Sequence, residues 1–323
     1  MHNRRLRTAV IGVGHFGRFH AEKYARSGQA ELVAVVDRDI GRARELAGRL
    51  KTEAYDDYTS LFGRIDAVSV AVPTSAHFDV ACACLENGVH VLIEKPITET
   101  LEQADALIAL AERNRLVLQV GHLQRFFLER INVSRFIDRP LYIESTRIAP
   151  FKPRGTDVSV TLDLMIHDID LILAMVKADV ASVDAVGAPV VSSEEDIVNT
   201  RLRFANGCVA TVTASRVSLK TERKMRIFQR EAYISIDLHN RKLVSMRKGS
   251  GKSWFPGLPP IARDELSFSE GDDLQAEVES FLEACLGVHP PLVTGQDGRR
   301  ALETAMRIDA SLRDSLAAAG LSG

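Results

Sequence analysis

"VIGVGHFGRFH", Val10 to His20, sets glycines at Gly12, Gly14 and Gly17 directly behind an apolar run and at the start of a helical pattern. The G-x-G-x-x-G spacing alone is weak, because glycine-rich turns are common. Between a strand and a helix it gains a physical meaning. The glycines permit a tight turn and close approach of backbone to a pyrophosphate, and the helix start offers free N–H groups with a partial positive charge. Asp37 follows Gly17 by 20 residues, at the end of the next apolar run. A carboxylate there accepts hydrogen bonds from both adenosine ribose hydroxyls and repels a 2′-phosphate, which favours NAD over NADP. Arg38 beside it can stack on adenine or reach a phosphate, so the exclusion is not absolute. The expected cofactor is NAD, held by Gly12, Gly14, His15, Phe16, Gly17, Asp37 and Arg38.

Outward from this loop, short apolar runs alternate with amphipathic segments. Strands are expected at Leu6–Ile11, Leu32–Val36, Ala67–Ala71, Val89–Ile93 and Leu116–Val120, each nearly continuous in apolar residues, as a parallel sheet buried on both faces requires. Leu101, Ala104, Leu107, Ile108 and Ala111 keep a 3.6-residue period, and Thr100 with Gln103 forms a plausible capping box. The first domain, residues 1–121, is therefore read as a doubly wound α/β unit.

After Gly121 the texture changes. A helical pattern over Val160–Val176 precedes strand-like runs at Val183–Val191, Ile197–Phe204, Cys208–Arg216, Met225–Arg230, Ala232–Asp237 and Lys242–Met246. This reads as an α+β domain over residues 122–323, built on an antiparallel or mixed sheet. Gly, Ser and Pro make residues 248–260 an exposed loop. Helices Leu274–Leu286 and Gly298–Ala318 close the chain, the last a candidate to pack back on the first domain.

Composition narrows the function classes. Lys+Arg 41 against Asp+Glu 43 argues against nucleic acid or a polybasic membrane surface as partner. No apolar run approaches the ~20 residues that span a bilayer, and the N-terminus reads as a strand rather than a signal peptide. The four cysteines show no zinc spacing, which fits free thiols in a cytoplasmic protein.

Three further stretches carry chemistry. In "VAVPTSAHFDVA", Thr74 and His77 follow the third strand at the edge where doubly wound sheets bind ligands; a helix cap explains them equally well. In "VLIEKPIT", Glu94 can hold the nicotinamide ribose, Lys95 can share in proton transfer, and Pro96 fixes the backbone. A surface ion pair before a turn is the alternative. In "VTLDLMIHDIDL", Asp163 and His167 are four apart and so share one helix face, where the carboxylate can orient the imidazole. Asp170 neighbours that face. Asp168 points elsewhere and reads as a solvated or structural charge. A metal held by Asp163, His167 and Asp170 lacks an evident further ligand, and none is expected.

Together these motifs, with "GHLQRF" at Gly121–Phe126, resemble the Gfo/Idh/MocA family of nicotinamide-dependent oxidoreductases over essentially the whole chain. The resemblance implies a Rossmann domain followed by an α+β domain with a large, mostly antiparallel open sheet, which commonly mediates homodimers or homotetramers. It also implies that Lys95, Asp163 and His167 act on a sugar hydroxyl. "RIAPFKPRGTDVSVTLDLMIHDIDLIL", "TVTASRVS" and "ERKMRIF" are similar to the branch that oxidises C3 of UDP-N-acetylglucosamine. There the 3-keto product passes to an aminotransferase, on the way to a 2,3-diamino sugar of lipid A. Relatives usually continue "RF-N-P" after the Gly-His segment, whereas here "QRFFLERINVSRF" follows. Candidate substrate contacts are His122, Arg125, Lys152, Arg154 and Arg216, with Arg223, since a sugar diphosphate needs cations. Other readings are a dehydrogenase of a different sugar or an inositol-like cyclitol, a glycosidase working by transient C3 oxidation, and a non-catalytic NAD sensor. A sensor would need only the glycine loop and Asp37.

Overall fold

The computed structural model describes residues 5–151, 159–249, 253, 256–257, 260–318 and 320. Lys152, Arg154 and most of the 248–260 loop lie outside the described residues. The chain divides into two compact units. One is Met1–Phe127 with Asp272–Leu302, and the other is Leu128–Gly271 with Glu303–Gly323. The division is thus not a single cut near Gly121, because a later segment returns to the first unit.

The first unit opens with β1 (Leu6–Ile11), α1 (Gly17–Arg26), β2 (Ala30–Val36), α2 (Ile40–Leu50), β3 (Glu53–Tyr55), β4 (Ala67–Val70), α3 (His77–Glu86), β5 (His90–Glu94), α4 (Leu101–Asn114) and β6 (Leu118–Gly121). A short α5 (Gln124–Arg130) follows. The six strands form one parallel sheet in the order β3-β2-β1-β4-β5-β6. Buried β4 and β6 explain the unbroken apolar runs, since parallel strands covered on both faces have no solvent side to mark. Thr100 and Gln103 form the expected reciprocal cap of α4, a feature worth about 1 kcal/mol. Strand order reverses between β1 and β4, and a crevice opens outside their carboxyl ends.

The second unit holds β7 (Pro140–Ile148), a π-helical turn at Thr161–Met165 running into α6 (Ile166–Val176), and then β8 (Val180–Ala188), β9 (Ile197–Phe204), β10 (Val209–Ser215), β11 (Glu222–Gln229), β12 (Ala232–Asp237), β13 (Lys242–Lys248) and β14 (Ile261–Ser267). Its eight strands run β14-β13-β12-β11-β7-β10-β9-β8, antiparallel except where β7 meets β10. Period-two alternation gives the sheet two different faces. Ile143, Leu202, Val212, Ile227 and Ile234 are buried, as are Ile166 and Ile169 of α6. On the other face Phe228 and Met246 are exposed, and Phe228 stacks on Tyr142 with ring centroids 5.6 Å apart.

The returning segment carries α7 (Asp273–Cys285) and the start of α8 (Gly295–Ala318). Val278, Phe281 and Leu282 of α7 join Tyr24 of α1 in a buried cluster of the first unit. Three strands were not expected: β3, β7 and β14. Each lacks an apolar run, and β7 alternates Ile143, Ser145 and Arg147 inward.

Candidate functional site

The glycine loop separates into two roles. Gly12 has φ +84°, and a side chain there would bring its Cβ within 2.7 Å of the Ala71 carbonyl carbon. A Cβ on Gly17 would lie 1.7 Å from the Gly12 carbonyl oxygen. These two glycines let the turn after β1 press against the end of β4 and the start of α1. A Cβ on Gly14 would meet nothing within 4 Å, so its missing side chain opens space instead.

That space is a cleft of about 910 Å³ outside the carboxyl ends of β1, β2, β4 and β5. It is lined by Gly12, Gly14, His15, Phe16, Asp37, Arg38, Thr74, His77, Glu94 and Lys95, so the structure brings nearly all the expected cofactor contacts together. The cradle fits a dinucleotide: a backbone-walled turn with no side chain at Gly14, leading into α1, and an acid at the second strand end. His15 packs edge-on against Phe16 and Phe19, with centroids 5.1 and 5.6 Å away.

Asp37 is held in place at the rim. Its Oδ2 accepts from the Val13 amide at 3.0 Å and its Oδ1 from the Asp39 amide at 2.9 Å. Arg42, not the adjacent Arg38, supplies its ion pair at 3.2 Å. Arg42, Asp56, Asp57 and Tyr58 line the cleft without having been singled out in the sequence. Their signal was faint, because β3 is three residues long and the segment after it carries no motif.

Thr74 opens a 3₁₀ turn, Thr74–Ala76, without a side-chain cap at Pro73. His77 is buried, with Nδ1 2.9 Å from the Pro96 carbonyl oxygen and Nε2 3.0 Å from that of Val72. Burial lowers its pKa, so the neutral ring donates through one nitrogen only. Its geometry tethers the β4 and β5 loops to each other. The Lys95–Pro96 peptide is cis. Glu94 accepts from His20 Nε2 at 3.0 Å and from the Lys95 amide at 3.3 Å. Burial alone would raise the Glu94 pKa, but the hydrogen bond and charge of His20, with Lys95 adjacent, hold it below the usual carboxylate value. His122 is buried after β6, and Arg125 sits 3.5 Å from Asp297, whose other oxygen accepts from the Thr294 amide ahead of α8.

In the second unit, the π-helical turn places Asp163 within Thr161–Met165 and His167 at the second position of α6, about one turn on. Such insertions are frequent at functional sites. The segment is anchored at its start: Ser159 Oγ accepts from the Leu162 amide at 3.4 Å and donates to Asp309 at 3.2 Å. His167 is half-buried, whereas Asp170 is buried. Asp168 is not solvated. It is 1% exposed and paired with Arg147, so it is a structural charge. Arg216 is buried too, with Nε 2.7 Å from Asp196 and Nη2 3.0 Å from Ser192 Oγ. Amides of Val191 and Ser192, with Ser192 Oγ and Arg216, overcome burial and hold Asp196 well below its ordinary pKa. Arg216 thus braces the turn before β9, with its guanidinium engaged by Asp196, Ser192 and the Glu195 carbonyl. Arg223 on β11 lies opposite Arg147 on β7 and is exposed.

A doubly wound sheet with a dinucleotide cradle, joined to a unit bearing a His/Asp helix, defines an NAD-binding oxidoreductase. Residues 6–122 match the model of the oxidoreductase family with an NAD-binding Rossmann fold, and residues 137–235 match the GFO/IDH/MocA C-terminal domain. The chain is 42% identical, over 94% of its length and 96% of the relative's, to UDP-N-acetylglucosamine 3-dehydrogenase of Acidithiobacillus ferrooxidans. A solved structure of that enzyme superimposes with a TM-score of 0.89, covering 95% of this chain and 97% of that one. It is also 28% identical to a Bacillus subtilis scyllo-inositol 2-dehydrogenase (NAD(+)), over 96% and 95% of the two chains. The chain belongs to the Gfo/Idh/MocA family, and residues 6–122 are that family's NAD-binding domain.

Proposed function

We propose that the chain oxidises a ring hydroxyl of a sugar to a ketone with NAD, and that its substrate is UDP-N-acetylglucosamine, oxidised at C3. The observation that carries this is the end-to-end likeness to a 3-dehydrogenase of that nucleotide sugar, well above the likeness to the inositol enzyme. The residues support it. Lys95 lines the cleft directly beyond Glu94, and Asp163 and His167 share one helical turn.

When bound, NAD supplies the acceptor for the hydride. His167 takes the hydroxyl proton, Asp163 orients its ring, and Lys95 stabilises charge on the oxygen. Glu94 holds the nicotinamide ribose. Arg147 and Arg223 stand against one carboxylate, Asp168, which leaves net positive charge in the second unit for a diphosphate. The exposed apolar residues Phe228 and Met246, with Tyr142 and Tyr233 beside Phe228, suit a homo-oligomeric contact through the open sheet. A C3 ketone is a substrate of the kind an aminotransferase consumes.

The test is NADH formation from NAD with UDP-N-acetylglucosamine, UDP-N-acetylgalactosamine, UDP-glucose, scyllo-inositol and myo-inositol. Turnover should be fastest with UDP-N-acetylglucosamine, with the ketone at C3 by NMR. Faster turnover of either inositol would refute the nucleotide-sugar reading.

A further inference from the structure

Behind Glu94, on the side away from the cleft residues, the first unit buries an acid that the reaction does not use. Glu277 of α7 is 0% exposed, and neither of its carboxyl oxygens has a hydrogen-bond partner among the described residues. One of those oxygens, one oxygen of Glu94 and a ring nitrogen of His20 all lie within 4.8 Å of one another. The backbone of Glu277 is pinned, since its carbonyl accepts from Gln119 Nε2 of β6 at 3.1 Å. That tie fixes the point on α7 from which the carboxyl reaches toward the cluster.

The surroundings decide its charge. From α1 it faces His20 and the Tyr24 phenol, from β5 Glu94 with Lys95 beyond, from β6 the neutral Gln119 amide, and on α7 itself Cys285 lies on the Tyr24 side. His20 also contacts Ser69 of β4, with Nδ1 to Oγ at 3.1 Å, and Tyr24 shares that hydroxyl at 2.8 Å. The available positive charge, from His20 and Lys95, is directed at Glu94. With two carboxylates this close, the fully buried one is the one that keeps its proton. Burial, reinforced by the Glu94 anion, moves the Glu277 pKa well above the ordinary value.

We propose that Glu277 is a positioning residue of the cofactor site: a neutral, buried carboxyl that backs Glu94 and keeps it a single anion, held by His20 and aimed into the cleft. The proposal rests on the assignment of Glu94 to the nicotinamide ribose. It makes the cofactor grip sensitive to alkali, because ionising Glu277 sets a second anion against Glu94.

The linkage has a definite sign. Below the ordinary value of 4.5, folded and unfolded chains both carry the proton. Above it, the unfolded chain ionises and the folded chain does not. The wild-type folding constant then falls about tenfold per pH unit, or about 1.4 kcal/mol, until the raised folded value is reached. Glu277→Gln removes that term.

The experiment measures unfolding free energy and NADH affinity of wild type, Glu277→Gln and Glu277→Leu across pH 5 to 9. The stability gap between Glu277→Gln and wild type should widen about tenfold per unit in the folding constant above the ordinary value. Wild-type NADH affinity should decline at the alkaline end, and Glu277→Gln should lack that decline. Glu277→Leu, which also lacks an ionisable group at this position, should likewise show no alkaline decline in NADH affinity. A gap that stays flat with pH means an ionised Glu277 and overturns the proposal. So does one equivalent of a bound divalent metal that Glu277→Gln releases. An alkaline decline that persists in Glu277→Gln overturns the positioning role, and the Gln variant decides even if Glu277→Leu fails to fold. NADH binding needs no sugar, so these outcomes are independent of which substrate is oxidised.

Discussion

Arg147 and Asp168 form a buried two-point ion pair: Nε lies 2.6 Å from one carboxylate oxygen and Nη2 3.0 Å from the other, with both side chains at most 3% exposed. The pair ties the centre of the eight-stranded sheet to α6, one residue after His167. A fork-shaped guanidinium meeting a carboxylate fixes orientation as well as distance.

Removing one partner should therefore cost far more than removing both. Asp168→Leu removes the two-point carboxylate partner of a buried guanidinium and should destabilise the protein by about 3–5 kcal/mol. The double variant Arg147→Met/Asp168→Leu should recover most of that loss. Chemical denaturation of the three variants checks this, and a double variant no more stable than the single would show that the pair is not coupled.

The same pair shows where the sequence was legible and where it was not. Glycine spacing, Asp37 and unbroken apolar runs announced the parallel sheet, because strands buried on both faces must be apolar throughout. β7 stayed hidden although it sits in the middle of its sheet. Its inward positions carry Ser145 and Arg147, and Arg147 looks apt for solvent until Asp168 is known to meet it. Asp168 reads from the sequence as either solvated or structural for the same reason, since the partner that makes it structural is 21 residues away. The return of α7 to the first unit rests on contacts between distant segments, such as Phe281 with Tyr24, that no local pattern encodes. The cofactor cleft was largely readable. Arg42 was not, because only folding brings it rather than Arg38 onto Asp37.

The three loop glycines should respond differently to substitution. Gly17→Ala demands a 1.7 Å approach to a carbonyl oxygen, so the turn must break and Tm should fall steeply. Gly14→Val meets open space and should fold with a near-wild-type Tm, yet bind NADH at least about tenfold more weakly, ~1.4 kcal/mol. Paired thermal melts and NADH titrations separate the two effects. Wild-type NADH affinity in Gly14→Val would show that the cofactor does not pass that point of the cleft.

His167→Ala should lower kcat by about 10²–10⁴-fold, the usual contribution of a positioned general base. NADH affinity should stay within about twofold, because the described residues that line the cleft belong to the first unit. Asp163→Asn should lower kcat by less and alter its pH profile, as the proposed action of the carboxylate through the ring requires. Steady-state kinetics with direct NADH titration tests both, and a His167→Ala enzyme at wild-type kcat would remove the residue from the reaction.

Asp37 should set the choice between NAD and NADP, with Arg42 as its accomplice. The acid is locked by the Val13 and Asp39 amides, so it presents a fixed negative group rather than a mobile one. Asp37→Ser removes the ribose acceptor and should weaken NADH by about 10–100-fold, as loss of a hydrogen bond to a charged group does. It also releases Arg42 from its 3.2 Å pair with Asp37, leaving only the longer 3.6 Å contact with Asp39, so that this guanidinium, with Arg38 on the same cleft wall, can attract a 2′-phosphate. The ratio of kcat/KM for NADP over NAD should rise in Asp37→Ser and fall back in Asp37→Ser/Arg42→Ala. If the single variant lost NAD without gaining NADP, Asp37 would act by shaping the loop and not by its charge.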